Sequence, residues 1–272
     1  MGSGIAEVCA RAELDVVVRE INAEAAEAGM ARLDKSLQRA VRSGKLDEAG
    51  ADTARSRIRF TTDLGDMADR DLVVEAAVED EGLKADIFRQ LDQIVTSPNA
   101  ILASNTSSIP ITRLGAVTSR PQNVLGMHFF NPVPVLRLCE LVKGERTSAE
   151  AMDRADTFAT DRLGKVIIRS KDQAGFIVNA LLVPYLLAAM RMHASGFASA
   201  EDIDAGMVEG CAHPMGPLRL SDMIGLDTMV FVANSLYDEF KEPLYAAPPS
   251  LLRMVEAGLL GRKSGQGFYT YT

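Results

Sequence analysis

The stretch Gly126-Met127-His128-Phe129-Phe130-Asn131-Pro132-Val133-Pro134-Val135-Leu136-Arg137-Leu138-Cys139-Glu140 carries the pattern from which the rest of the chain is read. Val124 to Met127 is an apolar run that reads as a strand delivering His128 to a turn at Asn131-Pro132. Val135 to Val142 reads as the returning strand, carrying Glu140. A strand, a turn and a returning strand can bring the two side chains together. A carboxylate behind an imidazole fixes its tautomer and stabilises the imidazolium, which a general base acting on an alcohol needs. Taken alone, the pair describes equally well a hydrogen-bonded core histidine and an ordinary surface charge.

The flanking sequence adds two further pieces. Upstream, Ile101-Leu102-Ala103-Ser104-Asn105-Thr106-Ser107-Ser108-Ile109-Pro110 is an apolar strand emptying into hydroxyls and an amide. Downstream, Gly175-Phe176-Ile177-Val178-Asn179 sets a polar amide inside an otherwise apolar helix. With the His128 to Pro134 segment between them, these motifs resemble the 3-hydroxyacyl-CoA dehydrogenase family, in particular its short-chain, 3-hydroxybutyryl-CoA branch. The resemblance runs from the first residue to the Gly265-Gln266-Gly267-Phe268-Tyr269 ending.

Composition sets outer limits. The 272 residues can bury a sizeable core in one large or two ordinary domains. Lys and Arg number 29 against 37 Asp and Glu, a formal charge of −8, which disfavours nucleic acid because phosphate binding needs a basic face. Cys9, Cys139 and Cys211 are widely spaced, with no CxxC and no histidine placed for zinc, so no metal is expected and the cysteines read as buried thiols of a reducing, cytoplasmic compartment. The longest apolar stretch, Phe176 to Met190, contains Asn179, Pro184 and Tyr185 and is shorter than a membrane span, so it reads as a buried helix.

In chain order, Gly2 to Ala12 reads as a helix opening on a glycine. Asp15 to Glu20 reads as a strand ending in an acid, and Asn22 to about Gly44 as a helix capped by Asn22. Helix, strand, acid, helix is the latter part of a dinucleotide-binding unit, in which the acid, Glu20, receives the ribose hydroxyls. By the resemblance, Gly2 matches the third glycine of a G-x-G-x-M-G turn. The opening strand and the first two glycines of that turn are not in the sequence, and the favoured explanation is that Met1 is an internal methionine of the motif. The rival explanation is that the chain begins there as a weakened or inactive form.

Ser56 to Phe60 and Asp71 to Glu79 read as strands of a parallel sheet, Lys84 to Val95 and Ser148 to Leu163 as helices, and Val166 to Ile168 as a closing strand. Beyond Asp172 only helices are expected: Phe176–Ser195, Ser199–Glu209, Pro217–Phe240 and Pro249–Ala257. The expected architecture is therefore α/β, with a Rossmann-like doubly wound sheet lacking its first strand over residues 1–172. An all-α domain over residues 173–272 then serves substrate binding and dimerisation.

The resemblance implies NAD-dependent interconversion of (S)-3-hydroxyacyl-CoA, 3-hydroxybutyryl-CoA above all, and 3-oxoacyl-CoA. It implies His128 as general base, Glu140 as its orienting carboxylate, Ser107 on the reacting oxygen and Asn179 on the substrate. Glu79, Lys84 and Asn105 are expected beside the nicotinamide half of the cofactor, and Ser36, Arg42 and Lys45 near the CoA portion. Read without the resemblance, Ser107 is equally a helix-capping hydroxyl, and the charges on the Asn22 helix a wet face. Glu20 favours NAD because it repels a 2′-phosphate. His193 and His213 are assigned structural roles. A dehydrogenase of free hydroxy acids and a truncated, cofactor-free binding protein are the alternatives carried forward. A homodimer through the apolar C-terminal helices is expected.

Overall fold

The computed structural model of the protein describes residues 1–271, which form two compact units, the first Met1–Asp172 and the second starting at Gln173. In the first unit α1 (Gly2–Arg11), β1 (Val16–Arg19), α2 (Ala23–Arg42), α3 (Glu48–Ser56) and β2 (Ile58–Thr61) are followed by β3 (Leu72–Glu75), α4 (Glu81–Ile94) and β4 (Ile101–Ser104). The unit continues through α5 (Ile111–Ala116), β5 (Val124–Phe129), β6 (Leu138–Lys143), α6 (Ala149–Thr157) and β7 (Val166–Lys171).

The strands make a mixed, Rossmann-like α/β arrangement in two parts. β1 and β2 pair in parallel, and a second sheet has the order β3-β4-β5-β6-β7, parallel except between β5 and β6. Helix α1 serves both parts. Its Ile5 packs with Ile101, Leu125 and Met127, while Ala6 and Ala10 pack with Leu33, Leu37, Ala54 and Ile58. Among the described residues no strand joins β1 to β3.

Local chemistry sets the ends of these elements. The Asn22 side chain accepts from Ala25 N at 2.8 Å and starts α2; Asp80 accepts from Leu83 N at 2.7 Å and starts α4. The strand expected to reach Glu79 stops at Glu75, whose carboxylate accepts from Ala77 N at 2.5 Å and turns the chain. The strand expected from Val135 begins at Leu138, because Val135 N and Leu136 N both bond Pro132 O at 2.9 Å and hold a turn. The expected helix Ser148 to Leu163 is α-helical only to Thr157 and then widens into a π turn over Phe158–Arg162. Helix α3, capped by Asp47 on Gly50 N at 2.8 Å, was not expected; it buries only Ala54, so its sequence carries no apolar stripe.

The second unit holds α7 (Val178–Ala194), α8 (Ala200–Cys211), α9 (Pro217–Ile224), α10 (Leu226–Phe240) and α11 (Pro249–Glu256). The single helix expected over Pro217–Phe240 is broken at Gly225, whose φ of +102° an L side chain rarely adopts. Its core joins Val183, Leu186 and Met190 of α7 to Met229, Ala233 and Leu236 of α10, with Leu218 and Leu251. Among the described residues no helix is long and apolar enough to cross a membrane. Cys211 is exposed at the end of α8, unlike the buried thiol expected; Cys139 is buried, and burial pushes its thiol up to about 12. His213 Nδ1 lies 3.2 Å from Tyr185 Oη, and the His193 ring meets Phe268 edge-on.

The Gly-Gln-Gly-Phe-Tyr ending is fastened by two buried carboxylates. Asp222 accepts from Phe268 N at 3.0 Å, Tyr269 N at 2.9 Å and Tyr271 Oη at 3.0 Å, while Asp204 accepts from Leu218 N, Arg219 N and Tyr269 Oη. Gly267 is required there, since a Cβ would fall 2.0 Å from Asp222 Oδ1. Burial first, then the Asp222 hydrogen bond, pushes the Tyr271 phenol up to about 12, and Tyr269 is raised in the same way beside Asp204. An unfolded tyrosine releases its proton near pH 10, so this stabilisation is whole below about pH 10 and is lost as pH rises through about 12. Melting temperatures measured across pH 8 to 12 should fall in that window. Tyr271→Phe should melt lower than the wild type at pH 8, and the gap should narrow as pH rises.

Candidate active site

Strand register places the central pair. In the antiparallel β5–β6 ladder His128 stands directly opposite Glu140, so both side chains leave the same face of the sheet. His128 Nδ1 lies 2.7 Å from Glu140 Oε2, both residues are buried, and the Phe130 ring covers the imidazole at 4.5 Å between centroids. An ionised carboxylate only accepts, so Nδ1 carries the proton and Nε2 is the nitrogen that exchanges a proton with a reacting group. A buried carboxylate also favours the imidazolium once that proton has been taken.

The loop after β4 lies beside this pair at the carboxyl ends of the parallel strands. Asn105 Oδ1 accepts from Phe129 N at 2.9 Å and so ties the loop to the residue next to His128. Of the hydroxyls, Ser104 donates to Glu75 Oε2 at 2.6 Å, and Thr106 and Ser108 both donate to Glu79 Oε1. Ser107 donates only its backbone N–H to Glu79, at 3.0 Å; its hydroxyl has no protein partner among the described residues. The helix-capping role weighed for Ser107 is filled by no hydroxyl: the first donors of α5, Ile111 N and Thr112 N, bond Asp172, and Thr106 Oγ1 accepts from Ser108 N and Ile109 N within the loop at 3.2 and 2.9 Å.

The residues expected around a cofactor gather at the same end of the unit. A Cβ on Gly2 would lie 3.8 Å from Ala76 Cβ and one on Gly4 3.2 Å from Val133 Cβ, so α1 begins between the turns that follow β3 and β5. That first turn holds no acid and no side-chain cap, and a helix terminus of this kind favours negative charge. Glu20 follows β1, its Oε1 near the backbone of Gly29, and Ser3 Oγ donates to Gly29 O at 3.2 Å. Lys84 is 1% exposed, with Nζ bonded to Glu75 Oε1 at 2.7 Å and Ala77 O at 3.2 Å, and 3.3 Å from Glu79 Oε2. Three donors thus meet three acceptors, and Glu79, with its side chain 25% exposed, is the charge this group turns toward the surface.

The remaining expected residues stand apart from this group. Ser36 is half-buried on α2, and Arg42 and Lys45 are exposed at its end; none is hydrogen-bonded or ion-paired to the residues above. Asn179 belongs to the second unit, in the first turn of α7. Two contributors were not foreseen. Glu75 is an acid inside the apolar run Leu72 to Ala77, read from the sequence only as one more residue of the strand Asp71 to Glu79. Lys165 is buried, with Nζ donating to Val133 O at 2.6 Å and Leu136 O at 2.7 Å, and so pins the turn after His128. Only the fold reveals its target.

The profile described as 3-hydroxyacyl-CoA dehydrogenase, NAD binding domain, matches residues 1–173, and that described as 3-hydroxyacyl-CoA dehydrogenase, C-terminal domain, matches residues 175–271. A 3-hydroxybutyryl-CoA dehydrogenase of Mycobacterium tuberculosis is 58% identical over 271 residues, covering 100% of this chain and 95% of its own. A probable 3-hydroxybutyryl-CoA dehydrogenase of Deinococcus radiodurans is 48% identical, covering 100% of this chain and 96% of its own. Among solved structures, M. tuberculosis FadB2 superposes with a TM-score of 0.99 at 58% identity, covering 100% of this chain and 95% of its own. The (S)-3-hydroxybutyryl-CoA dehydrogenase PaaH1 of Ralstonia eutropha superposes with a TM-score of 0.94 at 47% identity and the same coverage.

The pair makes a spectroscopic prediction. The His128 Nδ1 proton should resonate far downfield in the NMR spectrum, and Glu140→Gln should move it upfield by weakening a charge-assisted hydrogen bond. A resonance left in place would mean that Glu140 does not hold that proton.

Proposed function

The chain belongs to the 3-hydroxyacyl-CoA dehydrogenase family, and on that premise we propose how its own residues carry the reaction. The reaction is the NAD-dependent interconversion of (S)-3-hydroxyacyl-CoA, 3-hydroxybutyryl-CoA in the first place, and the 3-oxoacyl thioester. The observation that carries the assignment is the buried His128–Glu140 pair at 2.7 Å.

The chemistry that NAD supplies when bound is hydride exchange at the nicotinamide ring. The residues present fit that cofactor. The acid-free first turn of α1 at Gly2 suits the pyrophosphate, Glu20 the ribose hydroxyls, and Glu79 with Asn105 the nicotinamide half, with Lys84 seated behind Glu79. In oxidation His128 Nε2 takes the proton of the 3-hydroxyl as the C3–H bond breaks and the carbonyl forms. In reduction it returns that proton to the oxygen. Glu140 holds the ring in register and balances its positive charge. The Ser107 hydroxyl donates to the reacting oxygen, and Asn179 keeps the substrate-positioning role its motif implies. Ser36, Arg42 and Lys45, at the cationic end of α2, receive the CoA phosphates.

The first unit, residues 1–172, is thus the cofactor domain, and residues 173–272 serve substrate and assembly. Leu181 and Phe197, 72% and 79% exposed in the second unit, give a second copy of the chain an apolar surface to cover, and the protein works as a cytoplasmic homodimer. Loss of NADH absorbance on mixing the protein with acetoacetyl-CoA tests the assignment. Turnover with acetoacetyl-CoA is expected, at least about a hundredfold weaker kcat/KM with free acetoacetate, and a loss of about 10²- to 10⁴-fold in kcat in His128→Ala. Equal use of the free acid would move the assignment to hydroxy-acid dehydrogenases.

A further inference from the structure

Glu75 is used neither by the proton-transfer pair nor by the groups assigned to the cofactor, yet it is the best-connected side chain near them. It ends β3, 5% exposed, with both oxygens of its carboxylate hydrogen-bonded. Oε1 accepts from Lys84 Nζ at 2.7 Å and Ala77 N at 2.5 Å, and Oε2 accepts from Ser104 Oγ at 2.6 Å. Its backbone carbonyl accepts from Asn105 N at 2.8 Å. These four bonds reach three segments: the turn Ala76 to Glu79, helix α4 through Lys84, and the loop Ser104 to Ser108.

Two of those segments converge again on Glu79. Lys84 Nζ stands 3.3 Å from Glu79 Oε2, and the loop supplies Ser107 N and Ser108 Oγ to Glu79 Oε1, each at 3.0 Å. The charges explain the order of the layers. Lys84 and Glu75 are buried and neutralise one another, so Glu79 is the carboxylate left facing outward, at the carboxyl ends of β3 and β4 where a doubly wound sheet receives its ligand. Without the Glu75 charge, Glu79 would be the one carboxylate paired with buried Lys84 and would be drawn inward. The Ser104 bond fixes the loop that carries Asn105, and Asn105 in turn holds Phe129 N beside His128.

We propose that Glu75 is a positioning residue for the cofactor, setting Glu79 and Asn105 in the orientation that receives the nicotinamide half of NAD. The proposal rests on the function assigned above. Its test uses the full chain and two substitutions, Glu75→Gln, which removes the charge at constant shape, and Ser104→Ala, which removes only the hydroxyl bond. Glu75→Gln should raise the KM for NADH about tenfold, the scale of one charge-assisted hydrogen bond, with kcat and the KM for acetoacetyl-CoA within about threefold of wild type. Ser104→Ala should raise the NADH KM in the same direction by about threefold, and the double variant should be no worse than Glu75→Gln alone, since both act along one chain of bonds. A purely structural role would lower the melting temperature and leave the NADH KM of both variants within error of wild type, which would overturn the proposal. If Glu75→Gln fails to fold, Ser104→Ala alone decides by the same NADH readout. Failure of the functional assignment would show separately, as no turnover in the wild type; NADH fluorescence titration would then still compare cofactor affinity between wild type and variants.

Discussion

A carboxylate taken wholly out of water is the constraint on which the rest of the first unit depends. Removing Glu140 from solvent costs on the order of several kcal/mol, and that penalty is tolerable only where compensating groups are held at hydrogen-bond distance. The β5–β6 register does this by setting His128 directly across the ladder. A slip of one residue would turn Glu140 and its neighbours to the opposite face, so the apolar residues on either side, Cys139 and Leu141, fix the His128–Glu140 geometry as firmly as they fix the core. Lys165 then pins the turn that follows His128 through two backbone carbonyls. Stability and chemistry share the same bonds here.

The same device recurs through the molecule. Asp172 accepts from Ile111 N and Thr112 N at the start of α5, Asp204 from Leu218 N and Arg219 N at the start of α9, and Asp222 from the C-terminal Phe268 N and Tyr269 N. In each case a carboxylate distant in sequence satisfies a pair of backbone donors that would otherwise be unmade. Glu75 and Glu79 extend the pattern from structure to site, because the donors they collect belong to the loop carrying Asn105 and Ser107. The hydroxyl of Ser107 alone in that loop has no protein partner among the described residues, its neighbours Ser104, Thr106 and Ser108 being engaged.

Much of this was legible in the residues. Apolar runs at 101–103 and 124–127 gave the parallel strands, and Asn22 announced α2, because β-branched and apolar runs and side-chain caps act within a few residues. What stayed hidden depends on distant partners. Helix α3 buries a single alanine and so shows no periodicity, and the end of β3 is set by a carboxylate folding back on the next turn. The cap of α5 is Asp172, some sixty residues further on, which no local pattern around Ser107 could announce. The resemblance alone placed Lys84 near the cofactor, and its ion pair with Glu75 stayed hidden because Glu75 looked like one more residue of a strand.

The central claim is that proton exchange at the reacting oxygen runs through a histidine held by a buried carboxylate. The measurement that tests it most directly is single-turnover formation of NADH from (S)-3-hydroxybutyryl-CoA by Glu140→Gln. The account predicts a rate at least about a hundredfold below wild type with substrate affinity unchanged, since the variant keeps the shape and loses the charge that steadies the imidazolium. A rate within about twofold of wild type would contradict it and would leave Glu140 a packing residue.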